Sequence, residues 1–234
     1  MEFVPQEFAS FMTQRLDARP EPVRILEVGG GAVSRVPHDD AQVTVLDCSP
    51  DALARNTGAV ETLVGDAQVF EYGERRFDVA VFWNVLEHIA VPEAAVERAA
   101  QSLDDGGMIV VRGPDLGSLK AVITRFTPHW VHVLFYRWVL GIADAGTAGR
   151  PPCRVEHDGH ADRVALIALF RRLGFTMQYE QRYVGDQVLE LERFSRLAFR
   201  LYAGAAALVR LLTFSRYGTR ETEFILVARK ALRA

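Results

Sequence analysis

Runs of consecutive apolar residues recur through the first half of the chain, and several end at Gly, Asp or Asn. Short runs of this kind are typical of strands buried on both faces of a sheet. The predicted strands span residues 23–28, 43–46, 62–64, 77–83 and 108–111. Because helix-patterned or polar segments separate them, the pattern predicts a parallel sheet covered by helices on both faces.

Helical spacing of apolar residues marks two further elements in this half. The first predicted helix ends before Pro20, and its apolar positions are Phe8, Phe11, Met12 and Leu16. The second begins at Pro92, because proline favours the first turn of a helix. Its apolar positions are Ala95, Val96, Ala99 and Leu103. We expect Gly106 and Gly107 to break the chain before the fifth strand.

The pattern changes beyond residue 115. Residues 116–160 combine aromatic residues with glycines and prolines. We interpret this segment as an insertion, with one or two helices around 123–140 and then an irregular loop. The rest of the pattern predicts a helix over 166–173, a strand over 175–183, a helix-rich segment over 187–214 and a last strand over 223–228.

Composition narrows the class of protein. Hydrophobic residues make up 49% and charged residues 24% of the 234 positions, which is typical of a folded globular protein. A net charge of −3 gives no reason to expect nucleic acid as a partner. Two distant cysteines, Cys48 and Cys153, favour a reducing cytoplasm over a disulfide-stapled secreted domain. We expect neither a signal peptide nor a transmembrane segment.

A glycine cluster follows the first predicted strand, where open α/β sheets bind their ligands. Gly29 to Gly31 allow a sharp turn and a close approach of the backbone to a ligand. Asp47 ends the second strand, twenty positions after Glu27, and a carboxylate there can accept hydrogen bonds from both hydroxyls of a ribose. Alone, these features describe an ordinary turn and a solvated carboxylate, but together they predict a nucleoside cofactor. The third glycine of a dinucleotide loop is missing after Ala32, which disfavours a nicotinamide or flavin cofactor.

Five segments in order resemble the motifs of the class I S-adenosylmethionine-dependent methyltransferases, over residues 22–115. Residues 26–31 read Leu-Glu-Val-Gly-Gly-Gly and are similar to motif I, an acidic residue followed by Gly-x-Gly. The other four are 46–50 after the second strand, 65–67 at the adenine site, 77–89 at motif II and its following loop, and 103–107 before the fifth strand. The chain departs from the family in its missing third glycine and in Pro37, which predicts a short first helix after the loop.

The resemblance implies an α/β fold with a Rossmann-like, seven-stranded, mostly parallel sheet. The implied strand order is 3-2-1-4-5-7-6, with the last strand antiparallel, helices on both faces and a helical insertion or lid. The whole chain, 1–234, would form a single domain. Its parts would be an N-terminal helix (1–21), a cofactor-binding half (22–115), a substrate-cover insertion (116–160) and a C-terminal half of the sheet with inserted helices (161–234).

The implied cofactor is S-adenosyl-L-methionine. The glycine loop would receive its methionine part, and Asp47 its ribose. Asp66 would accept a hydrogen bond from the adenine amino group, beside the backbone of Ala67. The full set implied to bind the cofactor is Glu27, Gly29, Gly30, Gly31, Asp47, Cys48, Asp66, Ala67, Asn84, Val85 and His88.

Methyl transfer from a sulfonium mainly requires alignment of the acceptor, and a base is needed only for an acceptor that is still protonated. His88 and His129 are the candidate bases. For His88 the alternative is a residue that packs or caps at a helix start. His129 and His132 could share one helix face, but the motif lacks a third metal ligand.

A second polar cluster lies in the loop of the insertion, and it consists of His157, Asp158 and His160. Metal binding is one interpretation, and helix capping by Asp158 or Asp162 is the plainer one. The sequence therefore predicts no metal site.

The aromatic insertion predicts a lid over an apolar or aromatic acceptor, and its alternative is core or dimer packing. The candidate substrate-binding residues are Trp130, Phe135, Tyr136 and Trp138. Residues 197–214, rich in leucine and alanine but interrupted by Arg200 and Arg210, either pack against the sheet of this chain or rest on a membrane surface or a partner subunit.

These observations predict methyl transfer to an oxygen or nitrogen of a small molecule in the cytoplasm, by a protein that is a monomer or a homodimer. One alternative is a binding protein, or an enzyme of another reaction, that retains S-adenosylmethionine. Another is a dinucleotide oxidoreductase.

Overall fold

The structure is a computed structural model, and it describes residues 4–18, 22–32, 41–138, 141, 143, 145–146, 161–214 and 217–232. Its seven strands form one sheet in the order β3-β2-β1-β4-β5-β7-β6, which confirms the predicted order. The strands are β1 Arg24–Val28, β2 Gln42–Asp47, β3 Glu61–Val64, β4 Phe77–Trp83, β5 Leu103–Pro114, β6 Phe175–Tyr183 and β7 Glu223–Lys230. The helices are α1 Gln6–Asp17, α2 Pro50–Leu53, α3 Pro92–Ser102, α4 Leu119–Phe126, α5 His129–Trp138, α6 Arg163–Arg172, α7 Asp186–Phe194 and α8 Arg196–Leu212.

Four neighbouring strand pairs are parallel, and the last strand runs the other way. β1 pairs in parallel with β2 and β4, β2 with β3, and β4 with β5. Lys230, the last residue of β7, donates through its ammonium group to the carbonyl of Leu103 at the start of β5. Thr222, just before β7, accepts through its carbonyl from the backbone N–H of Asp115, just after β5. The direction of β7 is therefore opposite to that of β5. This confirms the mixed sheet that the resemblance implies.

The paired glycines before the fifth strand lie within that strand, contrary to the sequence prediction. Strand β5 begins at Leu103, so this residue is not part of the preceding helix, which ends at Ser102. Gly106 has a φ of 74°, and a Cβ on Gly107 would lie 2.8 Å from the carbonyl oxygen of Asp104. The register between β4 and β5 shifts here, between Phe77 and Val79. Gly106 has a backbone conformation that other residues rarely adopt, and Gly107 has no room for a Cβ. The two glycines therefore permit an irregularity in the ladder, and the strand continues through them.

By its contacts the chain divides into two units. The first unit comprises residues 1–113, 160–181 and 224–234, and it contains the apolar core. Phe82 on β4 and Phe170 on α6 are both 0% exposed, and Phe224 on β7 is equally buried. Helix α1 buries Phe8, Met12 and Leu16, as predicted. The first unit is therefore a sheet with apolar residues buried on both faces.

The second unit comprises residues 114–159 and 182–223, and it holds α4, α5, α7 and α8. Two of its hydrogen bonds join side chains that are distant in sequence. Arg182 Nε donates to Asp115 Oδ2 at 2.6 Å, and the Tyr183 hydroxyl donates to Glu223 Oε2 at 3.0 Å. Helix α8 packs mainly against α7 and α4. Within the described residues, no helix combines the length and apolar character that crossing a bilayer requires.

Candidate cofactor site at the carboxyl ends of the strands

The carboxyl ends of four parallel strands bring the predicted cofactor residues into one row. Val28 is in register with Leu46 on β2 and with Phe82 on β4, and Asp47 is in register with Val64 on β3. The segments that follow these strands therefore begin side by side at one edge of the sheet. In sheet order they start at Gly65, Cys48, Gly29 and Asn84.

The glycine loop lies so close to its neighbours that side chains would not fit. Gly29 has a φ of 74°, and a Cβ there would lie 2.3 Å from Val85 Cγ2. A Cβ on Gly30 would lie 2.9 Å from the carboxyl carbon of Glu27, which is 0% exposed. The loop thus contacts the end of β1 on one side and the segment after β4 on the other. This close approach explains the glycines physically.

Asp47 faces the same loop from the end of β2. The Cβ position of Gly31 lies 3.5 Å from Asp47 Oδ2, and the other oxygen, Oδ1, accepts a hydrogen bond from the backbone of Ser49 at 2.8 Å. Asn56 holds the loop from beyond α2, because its side-chain amide donates to the Gly31 carbonyl at 2.8 Å. Asn56 is not among the residues predicted from the sequence. The only indication of it there is a polar side chain shortly after Pro50.

Asp66 follows β3 and is fixed by Gln68. Both the backbone and the side-chain amide of Gln68 donate to Asp66 Oδ1, at 2.9 and 3.0 Å. These hydrogen bonds, the backbone one first, lower the pKa of Asp66 below its ordinary value. The Gln68 side chain also accepts from the Val91 backbone at 2.8 Å, which connects this turn to the start of α3. Gln68 is the second residue that the motifs did not identify.

The segment after β4 turns sharply at Asn84. This residue has a φ of 52°, and its backbone N–H donates to the Arg112 carbonyl at 3.0 Å. Asparagine tolerates this left-handed conformation better than most residues. Val85 is half-buried beside Gly29, and His88 is exposed in a short 3-10 helix, Leu86–His88. Ala67 is buried, whereas Cys48 is exposed as a free thiol.

A buried arginine on the neighbouring strand adds a charged group that the sequence analysis missed. Arg112 is 2% exposed, and its guanidinium carbon lies 5.1 Å from the ring centroid of Trp83. The same ring packs against Phe8 at a centroid distance of 6.1 Å. A cation stacked on an aromatic face at this distance is a stabilising contact. Cation and aromatic rings therefore lie at the end of β4, directly before Asn84.

The other predicted residues lie in the second unit or outside the described parts. Trp130 and Trp138 are exposed on α5, at 63% and 83%. The side chains of His129, Phe135 and Tyr136 are outside the described residues, as are Pro37 and the polar cluster His157, Asp158 and His160. Their predicted roles stay predictions.

His132, of the predicted histidine pair, makes an ordinary local contact, and Asp162 is a helix cap, which confirms the capping alternative for that residue. His132 Nε2 lies 2.8 Å from the Thr127 hydroxyl, and Asp162 caps α6 by accepting from the Val164 backbone. Within the described part of the chain, no group of three His, Cys, Asp or Glu residues is placed to hold a metal.

Comparison with known proteins gives the family. Residues 2–180 match a family model described as a methyltransferase domain. A curated relative from Streptomyces fradiae, an uncharacterized 37.1 kDa protein in transposon TN4556, is 30% identical over 205 residues. The match covers 80% of this chain and 55% of the relative. The chain therefore spans about half the length of the curated relative it matches.

Solved structures of the same fold include three with distinct descriptions. A SAM-dependent methyltransferase from Methanosarcina mazei is 15% identical, covers 100% of both chains and has a TM-score of 0.55. The N-methyltransferase NodS from Bradyrhizobium japonicum, in complex with S-adenosyl-L-homocysteine, is 15% identical with a TM-score of 0.53, over 96% of this chain and 86% of that one. The [4+2]-cyclase SpnF is 20% identical with a TM-score of 0.53, over 97% and 84%. At these identities the likeness concerns the fold.

The family match extends over most of the chain, and the sheet order and the row of strand ends agree with it. This chain belongs to the methyltransferase-domain family, that is, to the class I methyltransferases whose cofactor is S-adenosylmethionine.

Proposed function

We propose that this chain binds S-adenosylmethionine across the carboxyl ends of β1 to β4 and transfers its methyl group to an oxygen or nitrogen of a small, apolar or aromatic molecule. The glycine loop carries this proposal. Cβ atoms on its three glycines would lie close to Val85, Glu27 and Asp47, so the backbone of the loop runs close to the ends of β1 and β2 and to the segment after β4. A Cβ at Gly29 or Gly30 would meet a neighbour within 3 Å, so the loop is built for close approach.

Each part of the cofactor has a matching group along the row. The backbone N–H of Gly29 donates to the Leu46 carbonyl at 2.7 Å, so the backbone groups of Gly30 and Gly31 are our candidate donors to the carboxylate of the methionine part. Asp47 Oδ2 lies next to the loop and can accept from the ribose hydroxyls. Asp66, held ionised by Gln68, can accept from the adenine amino group. Asn84 and Val85 follow β4 and would line the methyl end.

The bound cofactor supplies an electrophilic methyl carbon, and the protein has to align the acceptor behind it. Such alignment can contribute roughly 7–11 kcal/mol to the lowering of the barrier. His88 is exposed after β4 and is our candidate for proton removal from a protonated acceptor. His129 on α5 is the alternative base. The indoles of Trp130 and Trp138 are exposed to solvent, and this apolar surface supports the prediction of an apolar or aromatic acceptor.

A second candidate function keeps the cofactor without methyl transfer. SpnF has this fold and is described as a [4+2]-cyclase, so the fold alone does not specify methyl transfer. This chain would then bind S-adenosylmethionine as a structural or regulatory ligand.

Incubation with S-adenosylmethionine labelled at the methyl group, and with a panel of phenols, amines and quinols, separates the two functions. Our proposal expects label in one acceptor class and loss of transfer in His88→Ala only where that acceptor is protonated at the assay pH. Tight cofactor binding with no transfer to any acceptor favours the second function. If His88→Ala and His129→Ala both keep full activity on a protonated acceptor, neither histidine is the catalytic base.

A further inference from the structure

Helix α8 presents a leucine stripe to solvent. Its leucines are 56–74% exposed, and they are Leu197, Leu201, Leu208, Leu211 and Leu212. At about 100° per residue these positions fall within an arc of about 100° on the helix. Phe194, just before α8, is 74% exposed, and Phe214, just after it, is 96% exposed. The helix therefore has a continuous apolar face with an exposed aromatic ring near each end.

The opposite side of α8 is already covered. Ala206 is 0% exposed, and Phe199, Tyr202 and Val209 are partly buried on the same side. A Cβ on Gly218 would lie 2.5 Å from the Ala206 carbonyl oxygen, so the backbone after α8 packs directly on this side. Packing within the unit thus explains one apolar side of α8, and the leucine stripe is a second apolar side. An amphipathic helix that only packs on a protein core has a single apolar side.

Charge identifies the kind of surface that this stripe fits. Residues 193–220 contain no Asp, Glu or Lys, and their charged residues are Arg193, Arg196, Arg200, Arg210, Arg216 and Arg220. The whole chain nevertheless has a net charge of −3. Five of the six arginines are described, and all five are exposed. Arg196 and Arg200 lie along one border of the leucine stripe. Leucine and phenylalanine beside arginine is the composition of helices that lie in the interface of an anionic bilayer.

We propose that α8, with Phe194 and Phe214, binds in the plane of a membrane that contains anionic lipid. The leucines enter the boundary between headgroups and acyl chains, and the arginines contact lipid phosphates. Two features favour a bilayer over a second copy of this chain. An antiparallel two-fold contact through the stripe would bring the arginine-lined borders of both copies to the same side. Like charges would then oppose the contact at low salt, where attraction to anionic lipid is strongest.

Vesicle flotation with the full chain tests this proposal. We expect the protein to float with phosphatidylcholine vesicles that contain about one third phosphatidylglycerol, and much less with phosphatidylcholine alone, since each arginine near the surface contributes roughly fivefold. Rising salt should weaken the binding. The variant Leu201→Gln/Leu208→Gln should bind at least about tenfold more weakly, because the apolar part of the contact is lost.

Two variants serve as controls for charge and for general surface change. Arg196→Gln/Arg200→Gln/Arg210→Gln should lose about tenfold or more in affinity at low salt and become less sensitive to salt. The matched control Val60→Gln/Val164→Gln alters two valines of the first unit that are similarly exposed, and it should bind vesicles as the wild type does. Circular dichroism and thermal unfolding of each variant check folding without reference to cofactor binding, which keeps this inference separate from the proposed function.

Three results would overturn the inference. The first is a wild-type protein that stays at the bottom of the gradient with anionic vesicles. The second is a folded Leu201→Gln/Leu208→Gln variant that floats like the wild type. The third is a lipid-free dimer in sedimentation that this variant dissociates, which would assign the stripe to a second copy of the chain.

Discussion

The two units of this chain bury their large apolar residues to very different extents. In the first unit, Phe82, Phe170 and Phe224 have no exposed surface, and the sheet is covered on both faces. In the second unit, five leucines of α8 and both described tryptophans of α5 are largely exposed. Large apolar side chains therefore form the core of the first unit, whereas several of those described in the second unit are exposed to solvent.

This difference separates a general part of the protein from a particular one. The first unit contains the strand ends and the glycine loop that we propose as the S-adenosylmethionine site, whatever the acceptor. The second unit contains the aromatic and leucine-rich helices, which suit an apolar acceptor or a lipid surface. We infer that the acceptor and the location of the reaction depend mainly on the second unit.

Truncation of one large side chain in each unit should give the largest contrast in stability. Phe82→Ala removes a ring from the middle of the sheet and should cost about 3–5 kcal/mol of the free energy of unfolding. Leu211→Ala on α8 should change it by less than about 0.5 kcal/mol, because that side chain is exposed. Urea unfolding followed by circular dichroism measures both. Similar losses in the two variants contradict the contrast.

Substitution of Gly29 should weaken cofactor binding more than substitution of Asp47 or Gln68. Gly29→Ala places a Cβ 2.3 Å from Val85 Cγ2, and the loop must move. We expect the affinity for S-adenosylhomocysteine to fall by about 100-fold, because a displacement of about 1 Å within a site can cost a factor of this order. Gly73→Ala is the matched control, because its φ is also positive, at 62°, but a Cβ there meets nothing within 4 Å. If both variants bind alike, the loop is not part of the site.

Asp47 should contribute the next largest effect on affinity. Asp47→Ala removes the proposed ribose acceptor, and hydrogen bonds to a charged group contribute about 1.5–3 kcal/mol, or roughly 10- to 100-fold. Asp51→Ala, an exposed carboxylate in the first turn of α2, should change affinity by less than about twofold. Isothermal titration calorimetry compares them. Wild-type affinity in Asp47→Ala places the ribose elsewhere.

Gln68 should affect affinity least, and mainly through pH. The pKa of Asp66 is lowered in the folded protein. The contacts of its carboxylate are therefore fully present above the ordinary aspartate pKa, and they are lost as the pH falls through the lowered pKa of Asp66. Gln68→Ala removes one of the two donors, so the acid loss of cofactor affinity should begin at a higher pH. At neutral pH we expect a loss of about two- to tenfold.

The exposed residue Gln14 on α1 provides the control for this change. Binding by Gln14→Ala should follow the wild-type pH profile. A Gln68→Ala profile identical to that of the wild type argues against Asp66 as a cofactor ligand. Carbon-13 titration of the Asp66 carboxyl group reports its pKa directly.

The sequence predicted the first unit well because local and global signals agree there. Apolar runs that end in Gly or Asp are strands, of which β1 and β2 are buried along most of their length, whereas β3, at the edge of the sheet, is only partly buried. Strand β4 has the bounds that its pattern predicted, Phe77–Trp83. The strand order follows from the family resemblance and not from periodicity alone. Asn56 and Gln68 were missed because their roles depend on side-chain hydrogen bonds to Gly31 and Asp66, which no spacing rule reveals.

The errors have physical causes too. Gly106 and Gly107 resemble a break, but a strand accommodates glycines where its ladder is irregular. Residues 197–214 carry apolar residues on two sides of one helix, so the pattern alone did not distinguish an inner from an outer apolar face. The structure makes that distinction, since Ala206 is buried while Leu208 is exposed.

The most direct test of the account is calorimetric titration of the pure wild-type protein with S-adenosylhomocysteine and, separately, with NAD. We predict one binding event per chain for the first ligand, competition by S-adenosylmethionine, and no heat for the second. An absence of binding by both S-adenosyl compounds, or binding of NAD instead, contradicts the assignment of the strand ends of β1 to β4 as the cofactor site.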